Sequence, residues 1–183
     1  MLRQLEIEGF MRHSIRQVDH TQRRVLQDEA IPHEEKVFSI FEPHTEWISK
    51  GKAGVPVELG VKVCVLEDQY QFILHHQVMQ KQTDEQVTLS MVRQTQQRFP
   101  DLRVCSFDKG FHSTANQSAL QELLQLAALP RKGKLSPAAQ AAEESAAFRA
   151  ARRAHSAVES AITALEVHGL DRCLDPGTKG FTR

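Results

Sequence analysis

Residues 103–113 read RVCSFDKGFHS, and the fold class turns on this run. Polar and β-favouring residues alternate from Arg103 to Phe107, with Val104, Cys105 and Phe107 fit for burial, so the spacing predicts a short strand. Asp108 then falls at its carboxyl end, and Ser113 or Asn116 is placed to cap a following helix. In open α/β sheets the crevice beyond the carboxyl ends of strands is where ligands and metals bind. The competing reading is a plain turn, in which Asp108 closes the loop and Gly110 supplies a positive φ.

Outward from this run, the pattern is mixed. Upstream, Thr83 and Asp84 offer an N-cap for a helix carrying Val87, Met91, Val92 and Phe99, which Pro100 ends. Before it, Leu59, Val61, Val63 and Val65 alternate with other residues as one apolar strand face. Glu67-Asp68-Gln69 reads as a turn, and Tyr70–Met79 as the return strand of a hairpin. Lys36–Phe41 has the period of a short strand, and Glu42–Val57, with two prolines and two glycines, reads as irregular. Downstream, Leu120, Leu123, Leu124 and Leu126 mark a helix, Ala127–Leu129 a short strand, and Pro137–Val167 a helical segment. The order predicts a mixed α/β sheet flanked by helices with right-handed crossovers.

The N-terminal residues 1–30 read as a long amphipathic helix, with Met11, Ile15, Val18 and Val25 at near-heptad spacing among Gln, Arg and Glu. Residues 31–183 are expected to form one domain, since 183 residues suffice for one substantial core. Lys plus Arg and Asp plus Glu each number 23, so a nucleic-acid site has to be local rather than a global basic excess. No apolar run reaches membrane-span length and no signal peptide opens the chain, which predicts a cytoplasmic protein without a membrane partner. Cys64, Cys105 and Cys173 are too scattered for a disulfide framework and are expected to be reduced. Adjacent His75 and His76 point to opposite faces of a strand, which argues against a shared metal ion.

In the last helix, Val158, Ile162 and Leu165 form an apolar stripe with Glu159 at its border and His155 one turn before it. A helix packed by that stripe presents Glu159 at the rim of the interface. If Asp108 emerges at the same rim, two carboxylates meet; the plainer alternative is a solvated glutamate on a surface helix.

Three strings, EKVFSIFEPHTEWISKGKAGVPVELGVKV (35–63), FDKGFHS (107–113) and HSAVESAITALEVHGLDRC (155–173), resemble the catalytic region of bacterial insertion-sequence transposases of the DDE class, in the ISNCY-like group. The resemblance spans residues 36–173. It implies an RNase H-like fold in which two aspartates and a glutamate hold two Mg²⁺ or Mn²⁺ ions for DNA cleavage and strand transfer at the element's terminal repeats and target. Asp108 matches the second acidic residue and Glu159 the glutamate. Carboxylates suit this chemistry because Mg²⁺ prefers oxygen ligands, and paired ions stabilise both oxygens of an in-line phosphoryl displacement. Lys109, His112, Arg131, Lys132, Lys134, Arg152, Arg153 and His155 are the expected DNA-backbone contacts.

The resemblance has gaps. No convincing first aspartate precedes FEPHTEW; Asp19 and Asp28 lie in the polar helix, and Glu42 is a glutamate of uncertain placement. Losing the strand that carries it leaves sheet edges to be covered in another way. Where related groups place an aromatic, a basic residue and a lysine around the glutamate, this chain has Arg152, His155 and Glu166. The expectation is a fold incomplete at its first strand and a truncated, inactive fragment. The alternative is a non-catalytic remnant that binds DNA through its basic clusters and dimerises through the N-terminal helix.

Overall fold

The computed structural model describes residues 2–49, 56–170, 177 and 180. The chain divides into two compact units, the first reaching from the N-terminus to Lys62 and the second from Val63 to Leu174. Five α-helices and three two-stranded sheets make a mixed α/β chain among the described residues. None of these helices is long and apolar enough to cross a membrane.

In the first unit, α1 (Leu2–Leu26) runs 25 residues and ends where Asp28 takes φ 51°. Its last turn is fastened by Arg23, which reaches Asp19 at 3.3 Å, Glu29 at 2.5 Å and Glu35 at 2.9 Å. The hydrogen bond from Arg23 holds the Glu29 carboxyl below its ordinary range. The Lys36–Phe41 run forms no strand. Its aromatics are used otherwise: Phe38 stacks between His33 and Trp47, with centroids 5.3 and 5.7 Å away, and Phe41 meets Phe10 edge-on. A strand forms instead inside the stretch read as irregular and pairs with the beginning of the run read as a strand from Leu59. There β1 (Glu46–Ser49) lies antiparallel to β2 (Val57–Gly60), with Trp47 opposite Leu59 and Ile48 opposite Glu58. Gly51 and Gly54 lie outside the described residues.

The second unit opens at the second residue of β3 (Lys62–Glu67), which is hydrogen-bonded to β4 (Ile73–Met79). A connection of five residues fits only a hairpin, since parallel pairing needs a much longer crossover. Asp68 closes it: its Oδ1 accepts from the amides of Tyr70 at 2.8 Å and Phe72 at 3.0 Å, and its own amide donates to the Phe72 carbonyl. The face of β3 that enters the core is Cys64 and Leu66, not the expected Val63 and Val65. With side chains alternating at period 2, Val63 and Val65 then lie on the other face of the strand.

Helix α2 (Asp84–Arg98) starts with the expected cap, Thr83, whose side chain accepts from the Gln86 amide while Gln86 reaches back to the Thr83 amide. Strand β5 (Val104–Ser106), helix α3 (Thr114–Leu123) and strand β6 (Leu126–Ala128) form a parallel βαβ unit, with Cys105 opposite Ala127. Leu126 is thus a strand residue, and Val104 is half-exposed rather than buried. The Ala-rich segment is two helices, α4 (Pro137–Glu144) and α5 (Ala146–Leu165), broken at Ser145, whose extended backbone lets its hydroxyl cap α5 at the Phe148 amide.

Two core clusters form. Cys64, Met79, Val87 and Met91 make one, and Val92, Cys105, Phe107, Leu120, Leu124 and Leu129 the other; Phe111 packs against both. The strand pairs β3–β4 and β5–β6 are not joined into one sheet. On β5, Phe107 N–H donates to Ala128 O, and Arg103 O accepts from Gln125 and Leu126. Odd-numbered residues therefore address β6, and by the parallel alternation Val104 and Ser106 direct their backbone groups to the opposite edge.

Candidate functional site

Asp108 stands two residues beyond β5, and the chain there is held by its neighbours. In the parallel register the Phe107 carbonyl would next meet the amide of residue 130, which is Pro130 and has none. Arg152 of α5 takes that acceptor, donating from Nη1 at 2.7 Å. On the next turn of α5, His155 Nε2 lies 3.1 Å from Asp108 Oδ1, and its Nδ1 lies 3.0 Å from Ser106 Oγ. A neutral imidazole with the proton on Nε2 satisfies both, donating to the carboxylate and accepting from the hydroxyl. The His155 side chain is 14% exposed and Asp108 70%.

Below Asp108, the loop to α3 is pinned from underneath. Asn116 is buried, and its Nδ2 lies within 3.1 Å of Glu85 O, Thr88 Oγ1 and Phe111 O. An amide carries two N–H donors, so one of the three bonds is shared. Gly110 is not among the residues with positive φ. Its role is close approach: a Cβ there would lie 2.7 Å from Asp84 Oδ2. The turn reading of Asp-Lys-Gly therefore misassigned the glycine, and Asp108 is itself extended at φ −70°, ψ 156°.

Glu159 lies one turn beyond His155 on α5 and is exposed. The inward side of α5 holds Phe148, Ala151, Arg152, His155 and Val158, with Glu159 at its edge. Residues four apart on a helix have Cβ atoms about 5–6 Å apart, so Glu159 follows directly on the histidine that Asp108 contacts. A third carboxylate, Glu67, ends β3. Burial raises its pKa above the ordinary value, the Asp68 charge adds to the rise, and His155 opposes it. Sequence reading took Glu67 for part of a turn; its place at the carboxyl end of a strand was the signal that would have singled it out.

Carboxylates are the right donors for Mg²⁺ or Mn²⁺. Among the described residues, however, no group of three or more His, Cys, Asp or Glu side chains is arranged to hold a metal ion. As placed, Asp108 faces an imidazole and Glu159 faces outward, so these side chains do not by themselves assemble a two-ion centre.

The basic residues divide. Lys132 Nζ pairs with Glu85 and donates to Gly110 O at 3.0 Å, while its amide donates to His112 Nδ1 at 3.3 Å. Arg131 has its amide bound to Glu143 Oε1 at 2.9 Å. With Lys134, these residues line a cleft of about 440 Å³ floored by Gln117, Gln121 and Ala139. Arg152 is committed to Phe107, whereas Lys109 and Arg153 are exposed. His75 Nε2 lies 3.0 Å from Gln94 Oε1. Cys64 and Cys105 are buried free thiols, pushed up to about 11 and about 12 by burial. Cys173 lies outside the described residues. Comparison with protein-family models, with curated proteins and with solved structures returned no match.

Proposed function

We propose that the second unit is the core of a DDE-class, ISNCY-like transposase with an RNase H-like plan, that Asp108 and Glu159 are its second and third acidic residues, and that this chain does not itself catalyse strand transfer. The observation that carries the reading is the grip of His155 on Asp108. It sets the carboxyl end of β5 against the one turn of α5 that leads to Glu159. The order hairpin, helix, parallel βαβ, helix supports the plan. Among the described residues no strand joins the two strand pairs, which agrees with a core that lacks the central strand carrying the first aspartate. DNA is the substrate class, with backbone contacts from Lys109, Arg153 and the cleft of His112, Arg131 and Lys134; Mg²⁺ or Mn²⁺ is the cofactor of the intact centre.

The test is Mn²⁺ titration of the labelled full chain, followed by NMR line broadening. Broadening centred on residues 108 and 159, lost in Asp108→Asn/Glu159→Gln, is the expected outcome. Broadening that spares both positions would remove the metal-site reading. Incubation of the same protein with terminal-repeat DNA and Mn²⁺ should yield no cleavage; cutting that Asp108→Ala abolishes would show the chain to be active. Retention on DNA that falls with salt and ignores metal would favour a binding remnant built on the basic cleft.

A further inference from the structure

Helix α1 is inverted relative to an ordinary surface helix. The side turned toward its own unit carries Gly9, His13, His20 and Arg23, with His20 buried and Arg23 in its three-carboxylate clasp. At about 100° per residue, Ile7, Met11, Ile15, Val18 and Val25 lie together on the opposite side. They are 57%, 57%, 66%, 57% and 71% exposed. An apolar stripe spanning most of a 25-residue helix, about 37 Å long, is the kind of surface that marks an interaction site.

We infer that this stripe binds the same stripe of a second copy of the chain, in antiparallel orientation. The charges beside it select both partner and direction. Arg12 and Asp19 occupy one flank, and an antiparallel pair brings that flank against itself. With the two-fold axis between Ile15 and Val18, Ile15 meets Val18 of the second copy and Met11 meets Gln22. Arg12 then falls about 3 Å along the axis from Asp19 of the second copy, twice by symmetry. Asp19 Oδ2 already faces Arg23, and a carboxylate has acceptor sites left for a second arginine. A parallel pair would set Arg12 against Ile7 and Asp19 against Ser14, with no ion pair on that flank. The flank carries both signs of charge, which does not suit a phosphate-rich surface.

This inference does not rest on the reading of Asp108 and Glu159. It is tested by sedimentation equilibrium of the full chain and of Arg12→Asp, Asp19→Arg and the double exchange. The parent should dimerise, each single change should weaken dimerisation about tenfold or more by opposing like charges, and the double exchange should return it to within about threefold of the parent. A monomeric parent, single variants that dimerise like the parent, or a double variant no stronger than the singles would overturn it.

Discussion

Phe107 carries a carbonyl that its own strand partner cannot satisfy, because Pro130 stands where the next amide would be. Its satisfaction by Arg152 makes a surface-helix arginine structural. Arg152→Ala should cost about 1–3 kcal/mol, the usual penalty for an orphaned, partly buried acceptor, whereas exposed Arg153→Ala should stay within about 0.5 kcal/mol. Denaturant melts of the two variants check the contrast, and equal effects would refute it. Glu67 gives a pH-dependent counterpart. A carboxyl whose pKa rises on folding binds its proton more tightly in the folded chain. Its contribution is therefore most favourable below the ordinary glutamate range and declines as pH climbs through that range toward the raised value. Glu67→Gln should raise Tm at pH 7, and the gain should vanish below about pH 4; a lower Tm at pH 7 would show that attraction to His155 outweighs burial. The duty of Arg152 was not legible in sequence, and Glu67, a carboxylate at a strand's end, was read into the turn that follows. The place of Asp108 just past a strand was legible, because a carboxylate after an alternating run is a local pattern. The arginine's duty depends on a proline 22 positions earlier, and the glutamate's on a histidine far along the chain.

At the scale of elements, caps and helices could be read because their signals are local: Thr83 with Gln86, and Ser113 before Thr114. Strands could be read where an apolar alternation or a short apolar run is bounded by turn residues, as in β3, β5 and β6. Lys36–Phe41 has the strand period but spends its aromatics on His33, Phe10 and Trp47, while Glu46–Ser49 pairs despite a weak pattern because Val57–Gly60 offers a register. Likewise, no periodicity forecasts the helix break at Ser145, since serine tolerates a helix interior and also caps one. Strand β5 permits a direct test of the half-open sheet. Phe107 N–H is bonded to Ala128 O, whereas the Ser106 amide addresses the edge away from β6. Hydrogen exchange followed by NMR should therefore show Ser106 exchanging at least about tenfold faster than Phe107. Equal protection would mean that another strand covers that edge in solution.

For the whole molecule, the distribution of buried apolar side chains decides how stability is shared. Among the described residues every buried hydrophobic side chain, from Cys64 to Phe148, belongs to the second unit; the first unit buries His20 and holds itself by the Arg23 clasp and aromatic edges. Solvent-exposed ion pairs contribute little each, whereas removing one fully buried leucine such as Leu120 costs about 2–5 kcal/mol. The two units should therefore differ in resistance to opening. Trypsin at low enzyme ratio should cut within residues 1–62 well before it cuts between Val63 and Leu165, although the second unit offers Arg93, Arg98, Arg103 and Lys109 as sites. Leu120→Ala should accelerate cleavage in the second unit alone. Raising protein concentration should slow cleavage after Arg12 and Arg16, because a paired α1 is harder to unwind than a solitary helix with its apolar side in water. Cleavage that begins inside α2 or α3, at a rate matching that in α1, would contradict this division of stability.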